Sequence, residues 1–321
     1  MKPPPLPRKA PPPLPSERKR LSVAEMLSHF LSEEDLRYLN QATFPASQKI
    51  RGIETGLHKA RLRGGTTEFA EHRAYSPGDE VRRIDWRAVG RSDKLEIKLY
   101  DDPSTLGTVV LLDGSGSMGF KDSTRSKYDY GCAVTAFLTK LLLGQRDPVG
   151  LLIARDNTPG FLWPKTSSGH LMVILDTLYH TIPSGKTRLA EQLRFLASHL
   201  RYPSRVMIVS DGFTDLATLE PEIARLTGRQ HRFHLLQTVA PEEVRFDYRQ
   251  PLRFASMEVR SHLDANPQEV AEAYREALET HIESLRRLCL RHGASYEPLV
   301  TDQPLGRALM DFIRRNSDRR R

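Results

Sequence analysis

Short apolar runs of strand length alternate with helix-length segments from residue 108 to residue 239. The pattern predicts strands at 108–112, 149–154, 205–209 and 233–239, with 161–164 as a hairpin partner, and helices at 127–143, 169–181, 188–200 and 215–227. Continuous apolar strands linked by helices are typical of sheets that are buried on both faces. The sequence therefore predicts an α/β fold with a doubly wound, mostly parallel sheet.

The flanking composition divides the 321 residues into further segments. Residues 1–20 hold eight of the 22 prolines and contain PPPLP twice, which predicts a disordered, basic tail that samples polyproline II. Ser22 and Glu25 have the spacing of a capping box. The predicted division is a tail at 1–20, a helical segment at 21–45, a β-rich unit at 46–104, the α/β domain at 105–260, a helical/β extension at 261–313 with a long helix at 267–291, and a basic tail at 314–321.

The net charge of +8 comes from the two ends of the chain. Residues 1–20 and 314–321 hold 11 Lys and Arg against 2 acidic residues, so the remaining body is close to neutral. No basic segment is interleaved with aromatics, which argues against a specific nucleic-acid site. With no signal peptide and no apolar run long enough to span a membrane, we expect a cytoplasmic protein in which Cys132 and Cys289 are buried small hydrophobes.

Two segments resemble nucleotide-binding motifs, but the residues around them do not fit such motifs. Gly114, Gly116 and Gly119 have the spacing G-x-G-x-x-G, but the acidic residue expected about 20 positions later falls in a helix instead of at a strand end. The segment PSGKTRL at 183–189 lacks the earlier glycine of a phosphate-binding loop, and no strand leads directly into it. We therefore expect no nucleotide site.

Oxygen-bearing side chains follow the predicted strands at one edge of the sheet. Asp113, Ser115 and Ser117 alternate as D-x-S-x-S, Thr187 lies in a second loop, and Asp211 ends a later strand. The carboxyl ends of neighbouring parallel strands open into one crevice, where a doubly wound sheet binds its ligand. Two carboxylates and three hydroxyls suit a small hard cation, so the sequence predicts a site for Mg²⁺ or Mn²⁺.

This set resembles the metal-ion-dependent adhesion site (MIDAS) of von Willebrand factor A (vWA) domains. The segment GGTTEFAEHRAYSPGDEVRRIDWRAVGR, residues 64–91, further resembles the signature of the bacterial family DUF 58, and the likeness extends over about 51–313, including TDQPLGRAL. The resemblance implies a vWA/Rossmann-like domain that binds a partner's Glu or Asp through its metal. Proteins with this combined signature are commonly encoded beside MoxR-type AAA ATPases, which implies such a partner. Many relatives carry transmembrane segments, and DDPSTLG replaces their usual glutamate-rich link.

The signature segment itself allows two interpretations. It contains interleaved arginines, aspartates and a tryptophan: Arg73, Asp79, Arg82, Arg83, Asp85, Trp86 and Arg91. These residues form either an internal ion-pair network that holds the β-rich unit against the sheet or a surface that contacts the partner.

Two functions are consistent with the metal motif. The first is a non-enzymatic protein-interaction module, an adaptor of the ATPase in protein assembly or maturation. The alternative is a Mg²⁺-dependent phosphoester hydrolase, since Mg²⁺ with carboxylates can position water. The hydrolase lacks an evident general base, because His170 and His180 lie in a helical pattern, and no G-x-S-x-G motif is present. We therefore expect binding and no catalysis.

Overall fold

The structure is a computed structural model that describes residues 21–44, 69–74, 84–86, 89–90, 95–100, 107–121, 125–155, 160–167, 169–186, 188–248, 252–255, 257–258 and 262–318. The predicted proline-rich tail at 1–20 and most of the predicted β-rich unit lie outside these residues. Within the described part of the chain, no helix combines the length and the apolar character needed to cross a bilayer.

The described helices and strands follow the predicted alternation. In chain order they are α1 Val23–Phe30, α2 Glu33–Gln41, β1 Phe69–Ala74, β2 Glu96–Tyr100, β3 Thr108–Asp113, α3 Lys127–Gly144, β4 Val149–Ala154, β5 Phe161–Lys165, α4 His170–His180, α5 Leu189–His199, β6 Arg205–Ser210, α6 Leu216–Gly228, β7 Arg232–Val239, α7 Pro241–Arg245, β8 Leu252–Ala255, β9 His262–Ala265, α8 Pro267–Arg291, β10 Ser295–Val300 and α9 Leu305–Asp318.

Among the described residues, the main sheet has six strands in the order β10-β7-β6-β3-β4-β5. All neighbours pair in parallel except β5, which returns antiparallel to β4 as the hairpin partner that the sequence predicted. The predicted doubly wound, mostly parallel α/β fold is confirmed. Because β3, β6 and β7 run in register, their carboxyl ends meet at one edge of the sheet.

The two faces of the sheet bury separate apolar cores. Alternate residues of β3 point to opposite faces: Val110 and Leu112 pack under α1 to α4 and α9, whereas Val109 and Leu111 pack under α5, α6 and α8. Cys132 and Cys289 are buried and free, one in each core, as predicted. Helices therefore cover both faces of the sheet.

The N-terminal helices are docked onto the end of the chain. Ser22 with Glu25, and Ser32 with Asp35, form capping boxes at α1 and α2. The buried Asp35 carboxylate also accepts a hydrogen bond from the Gly306 N–H at 2.8 Å. The segment at 21–45 is therefore joined to the same core as the C-terminal helix.

The sheet extends past residue 260, the position where the sequence placed the end of the α/β domain. Strand β10 pairs in parallel with β7 along its whole length, and α9 continues to Asp318, into the range predicted as a basic tail. Two smaller antiparallel sheets, β1 with β2 and β8 with β9, flank the main one. The β8–β9 hairpin was not anticipated, because its strands are only four residues long.

Candidate metal centre

Asp113 lies at the end of β3 and is completely buried. Its carboxylate accepts a hydrogen bond from the Ser115 N–H at 3.0 Å and another from the Ser210 hydroxyl, at the end of β6, at 2.6 Å. Burial, and next the negative charge of Asp211, raise the pKa of Asp113 to about 6. The carboxylates of Asp113 and Asp211 thus interact at the carboxyl ends of β3 and β6, where the sequence predicted both residues.

The serines of the D-x-S-x-S loop bring their hydroxyls together. Ser115 is buried, and its Oγ lies 3.1 Å from the Ser117 Oγ. Neighbouring ligands in the octahedral shell of Mg²⁺, each about 2.1 Å from the ion, are separated by about 3.0 Å. The separation of the two hydroxyls therefore matches that of two adjacent ligands on such an ion.

The loop that contains the predicted threonine ligand, Thr187, is tied to the D-x-S-x-S loop. Thr187 itself lies outside the described residues. Two backbone hydrogen bonds, both of 2.8 Å, run from the Gly116 N–H to the Gly185 carbonyl and from the Ser184 N–H to the Gly114 carbonyl. Gly185 has a φ of 82°, a conformation that glycine adopts without strain. Ser184 and Gly185, which lie in the segment that resembles a phosphate-binding loop, thus border the D-x-S-x-S loop of the candidate site.

Asp211 follows β6 and is fully buried. Its Oδ1 accepts a hydrogen bond from the Phe213 N–H at 3.2 Å, while its Oδ2 lies 2.9 Å from the Lys127 Nζ. The Gln237 side chain donates to the Asp211 carbonyl at 2.8 Å, so a neighbouring strand holds this residue too.

Lys127 belongs to the candidate centre, although no sequence motif indicated it. It is 1% exposed, and its ammonium group contacts the Glu243 Oε1 at 2.7 Å as well as Asp211. Burial opposes the charged form, but the negative charges of Asp211 and Glu243 raise the pKa of Lys127 above its ordinary value. A signal was present: Lys127 is the first residue of α3, where the helix dipole disfavours a cation, so a lysine at this position needs another reason.

The four charged groups of this cluster do not balance. Counted over the described residues of the cluster, Asp113, Asp211 and Glu243 supply three carboxylates and Lys127 one ammonium, which leaves two negative charges when all are ionised. One divalent cation would neutralise the cluster. Among the described residues, no three His, Cys, Asp or Glu side chains are arranged to hold a metal. A cation here would therefore depend on hydroxyl and water ligands beside the two aspartates, which is the predicted donor set.

The tip of the β8–β9 hairpin covers one side of the D-x-S-x-S loop. A Cβ added to Gly116 would lie 2.2 Å from the Met257 carbonyl oxygen, and one added to Gly119 would lie 3.4 Å from the Met257 Cε. The Met257 side chain is about half exposed beside this loop. The hairpin therefore supplies an apolar rim to the candidate site.

The histidines considered as general bases lie elsewhere. The His170 Nε2 is hydrogen-bonded to the carbonyl of Val149. Val149 begins β4, at the amino ends of the parallel strands, whereas Asp113 lies at their carboxyl ends. His180 is bonded to the Asp176 carbonyl at the exposed end of α4. The hydrolase alternative gains no support from either residue.

The structure separates the residues of the signature segment. Asp85 is buried, whereas the neighbouring Trp86 is 64% exposed. Arg73 lies on β1 opposite Ile97 of β2. The other four, Asp79, Arg82, Arg83 and Arg91, lie outside the described residues. The choice between an internal network and a partner surface stays open for this set.

A family model matches residues 71–290, more than two thirds of the chain. Its description is "Protein of unknown function DUF58". The chain belongs to this family. The DUF58 match runs from β1 into α8 and includes Asp113, Lys127, Asp211 and Glu243. The resemblance to the DUF 58 family that the signature segment indicated is thereby confirmed.

Two mycobacterial proteins match part of this chain. The "Uncharacterized protein Rv1480" of Mycobacterium tuberculosis and the "Uncharacterized protein Mb1516" of Mycobacterium bovis are each 27% identical to this chain over 201 residues. The alignment covers 61% of this chain and 62% of each relative, less than two thirds of their length.

Solved structures with a similar fold share little sequence with this chain. The conserved hypothetical protein BatB from Bacteroides thetaiotaomicron is 12% identical, with a TM-score of 0.42, and the match covers 66% of this chain and 99% of BatB. The SpRpn10 VWA domain is 11% identical, with a TM-score of 0.38, and the match covers 64% of this chain and 94% of that domain.

Proposed function

We propose that this DUF58 protein is a metal-dependent protein-interaction module of the MIDAS type. Asp113, Ser115, Ser117, Thr187 and Asp211 would hold Mg²⁺ or Mn²⁺, and the bound ion would accept a Glu or Asp side chain from a partner protein. The observation that carries the proposal is the buried cluster in which, among the described residues, three carboxylates lie against one ammonium, beside the hydrogen-bonded hydroxyls of Ser115 and Ser117.

The surroundings of the cluster favour binding over catalysis. Asp113 is held by the Ser115 N–H and the Ser210 hydroxyl, and Asp211 by Lys127 and the Phe213 N–H. These contacts hold both carboxylates against other groups of the protein at the ends of β3 and β6. The Met257 side chain at the rim offers apolar contact to a docking protein.

The partner inferred from the family resemblance is a MoxR-type AAA ATPase, for which this chain would act as an adaptor in protein assembly or maturation. The division of labour is chemically reasonable, since the glycine patterns of this chain lack the context of a nucleotide site and the energy for remodelling would come from the ATPase. A cytoplasmic location stays a prediction of the sequence.

Co-purification tests the metal-bridged contact. Tagged wild-type protein is used to capture the MoxR-type ATPase encoded nearest to it, in buffer with Mg²⁺ and in buffer with EDTA. We expect capture to be lost in EDTA and in Asp113→Ala, but kept in Asp311→Ala, which removes a half-exposed carboxylate from α9.

Either of two results would contradict the proposal. Capture that persists in EDTA and in Asp113→Ala would show that no metal bridges the contact. Absence of capture under all conditions would remove the ATPase, while calorimetry with Mn²⁺ alone would still decide whether the ion binds.

A further inference from the structure

Lys127 occupies an unusual place in the candidate metal centre. The lysine side chain crosses from the start of α3 to the end of β6, and its ammonium group lies between Asp211 at 2.9 Å and Glu243 at 2.7 Å. The rings of Phe213 and Phe120 lie 5.0 Å and 5.8 Å from the same nitrogen. The ammonium is thus excluded from water and solvated by two carboxylates and two aromatic faces.

Both carboxylates that contact Lys127 are themselves held by backbone groups. The Glu243 Oε2 accepts a hydrogen bond from the Ala240 N–H at 2.9 Å, and the Asp211 Oδ1 accepts one from the Phe213 N–H. Lys127 therefore joins two anchored groups that follow different strands, Asp211 after β6 and Glu243 in α7 after β7. Without its charge, Asp211 would be left buried beside Asp113 with no compensating cation in this cluster.

We propose that Lys127 is a built-in counter-ion of the metal centre: it keeps the site folded when no metal is bound and lowers the affinity of the site for divalent cations. The inference rests on the proposed function and extends it to regulation of the same site. The physical basis is that the ammonium and a divalent cation are attracted by the same carboxylate, Asp211, and repel one another.

The proposal makes Lys127 and Glu243 act with opposite signs on the metal. Removal of the ammonium raises the negative charge of the cluster and removes a repulsion, so divalent cations bind more tightly. Removal of the Glu243 charge leaves Asp211 as the one carboxylate of the pair that contacts the ammonium, and it lowers the negative charge of the cluster. Divalent cations therefore bind more weakly. A purely structural role would weaken metal binding in both variants.

The first experiment measures thermal unfolding in EDTA, where no metal contributes. Lys127→Met is expected to lower the melting temperature by roughly 10 °C, because it leaves both Asp211 and Glu243 without the ammonium that they contact. Lys140→Met, which changes an exposed lysine of the same helix, is the matched control and is expected to change it little. The double variant Lys127→Met/Asp211→Asn also removes the fully buried Asp211 charge and is expected to recover part of the loss, since Glu243 still lacks its cation. If Lys127→Met is as stable as the control, the counter-ion role is wrong.

The second experiment measures the dissociation constant of Mn²⁺ by calorimetry for the wild type, Lys127→Met and Glu243→Gln. We expect a decrease on the order of tenfold in Lys127→Met and an increase of similar size in Glu243→Gln. Weaker binding in both variants would overturn the proposed tuning of affinity. If none of the three proteins binds Mn²⁺, the metal-dependent function and the tuning fail together, while the measurements in EDTA still decide the counter-ion role.

Discussion

The Ser210 hydroxyl donates a 2.6 Å hydrogen bond to the Asp113 carboxylate, across the ends of two neighbouring parallel strands. The same Ser210 oxygen accepts a hydrogen bond from the Gly212 N–H at 3.0 Å. The loop after β6 is thereby tied to the first residue of the D-x-S-x-S motif. This link holds the loop that contains Asp211 against Asp113.

Asp113→Asn is expected to stabilise the protein in EDTA at pH 7.5 while abolishing cation binding. The neutral amide removes a fully buried negative charge next to Asp211 and keeps a similar shape. Loss of this repulsion should raise the melting temperature by roughly 3–6 °C. Thermal melts with and without Mn²⁺ measure both effects. A melting temperature below that of the wild type in EDTA would contradict the account of the crowded carboxylates.

Gly116→Ala is expected to disrupt the contact between the D-x-S-x-S loop and the hairpin tip. The added Cβ would lie 2.2 Å from the Met257 carbonyl oxygen, so backbone must move. We expect a loss of about 1–3 kcal/mol in the free energy of unfolding. Gly144→Ala is the control, because nothing lies within 4 Å of its Cβ and alanine favours its helix. Equal stability of the two variants in urea unfolding would show that the hairpin does not press on the loop.

Asp35→Ala is expected to destabilise the whole domain as well as the first helices. The change removes the acidic half of the α2 capping box, which accepts from Ser32, and leaves the Gly306 N–H without its acceptor. The expected cost is about 2–4 kcal/mol, from the weakened capping box and a buried unsatisfied donor. Glu34→Ala, an exposed neighbour, serves as the comparison. Urea unfolding followed by far-UV circular dichroism measures the cost, and a two-step transition in the variant would argue against one cooperative core.

His231 is expected to make stability fall as the pH falls below about 6.5. Burial, and next the positive charge of Arg229, lower the pKa of His231, whose Nδ1 accepts the Ser204 N–H bond at 3.1 Å. As the pH falls, the His231 imidazole is therefore protonated in the unfolded chain before it is protonated in the folded protein. The free energy of unfolding decreases over the pH range between the unfolded pKa and the lower folded pKa.

His231→Asn places an amide oxygen near the same donor and does not titrate. The difference in free energy of unfolding between the variant and the wild type should shift in favour of the variant from pH 7.5 to pH 5, with a slope of at most about 1.4 kcal/mol per pH unit. Taking the difference cancels the other titrating groups, among them Asp113, which acts in the opposite sense because its pKa is raised. A difference that does not change with pH would rule out this role.

Local patterns in the sequence determined the elements and the edge of the sheet that carries the candidate site. Helix 267–291 and strand 149–154 were predicted with the bounds that the structure shows, because apolar residues repeat with the period of a helix or form a continuous buried run. The convergence of Asp113 and Asp211 followed from the rule that parallel strands end at one edge.

Only the tertiary structure decided which groups from distant parts of the sequence lie together at the carboxyl ends of the strands. The Lys127 ammonium reaches Asp211 across 84 residues and Glu243 across 116, strand β10 joins the sheet beyond the predicted domain boundary, and Met257 closes on Gly116. No periodic pattern in the sequence predicts these contacts. Each depends on which surfaces remain uncovered once the helices have packed. A lysine at the first position of a helix breaks a local rule in the sequence, but the carboxylates that explain it are brought together only by the fold.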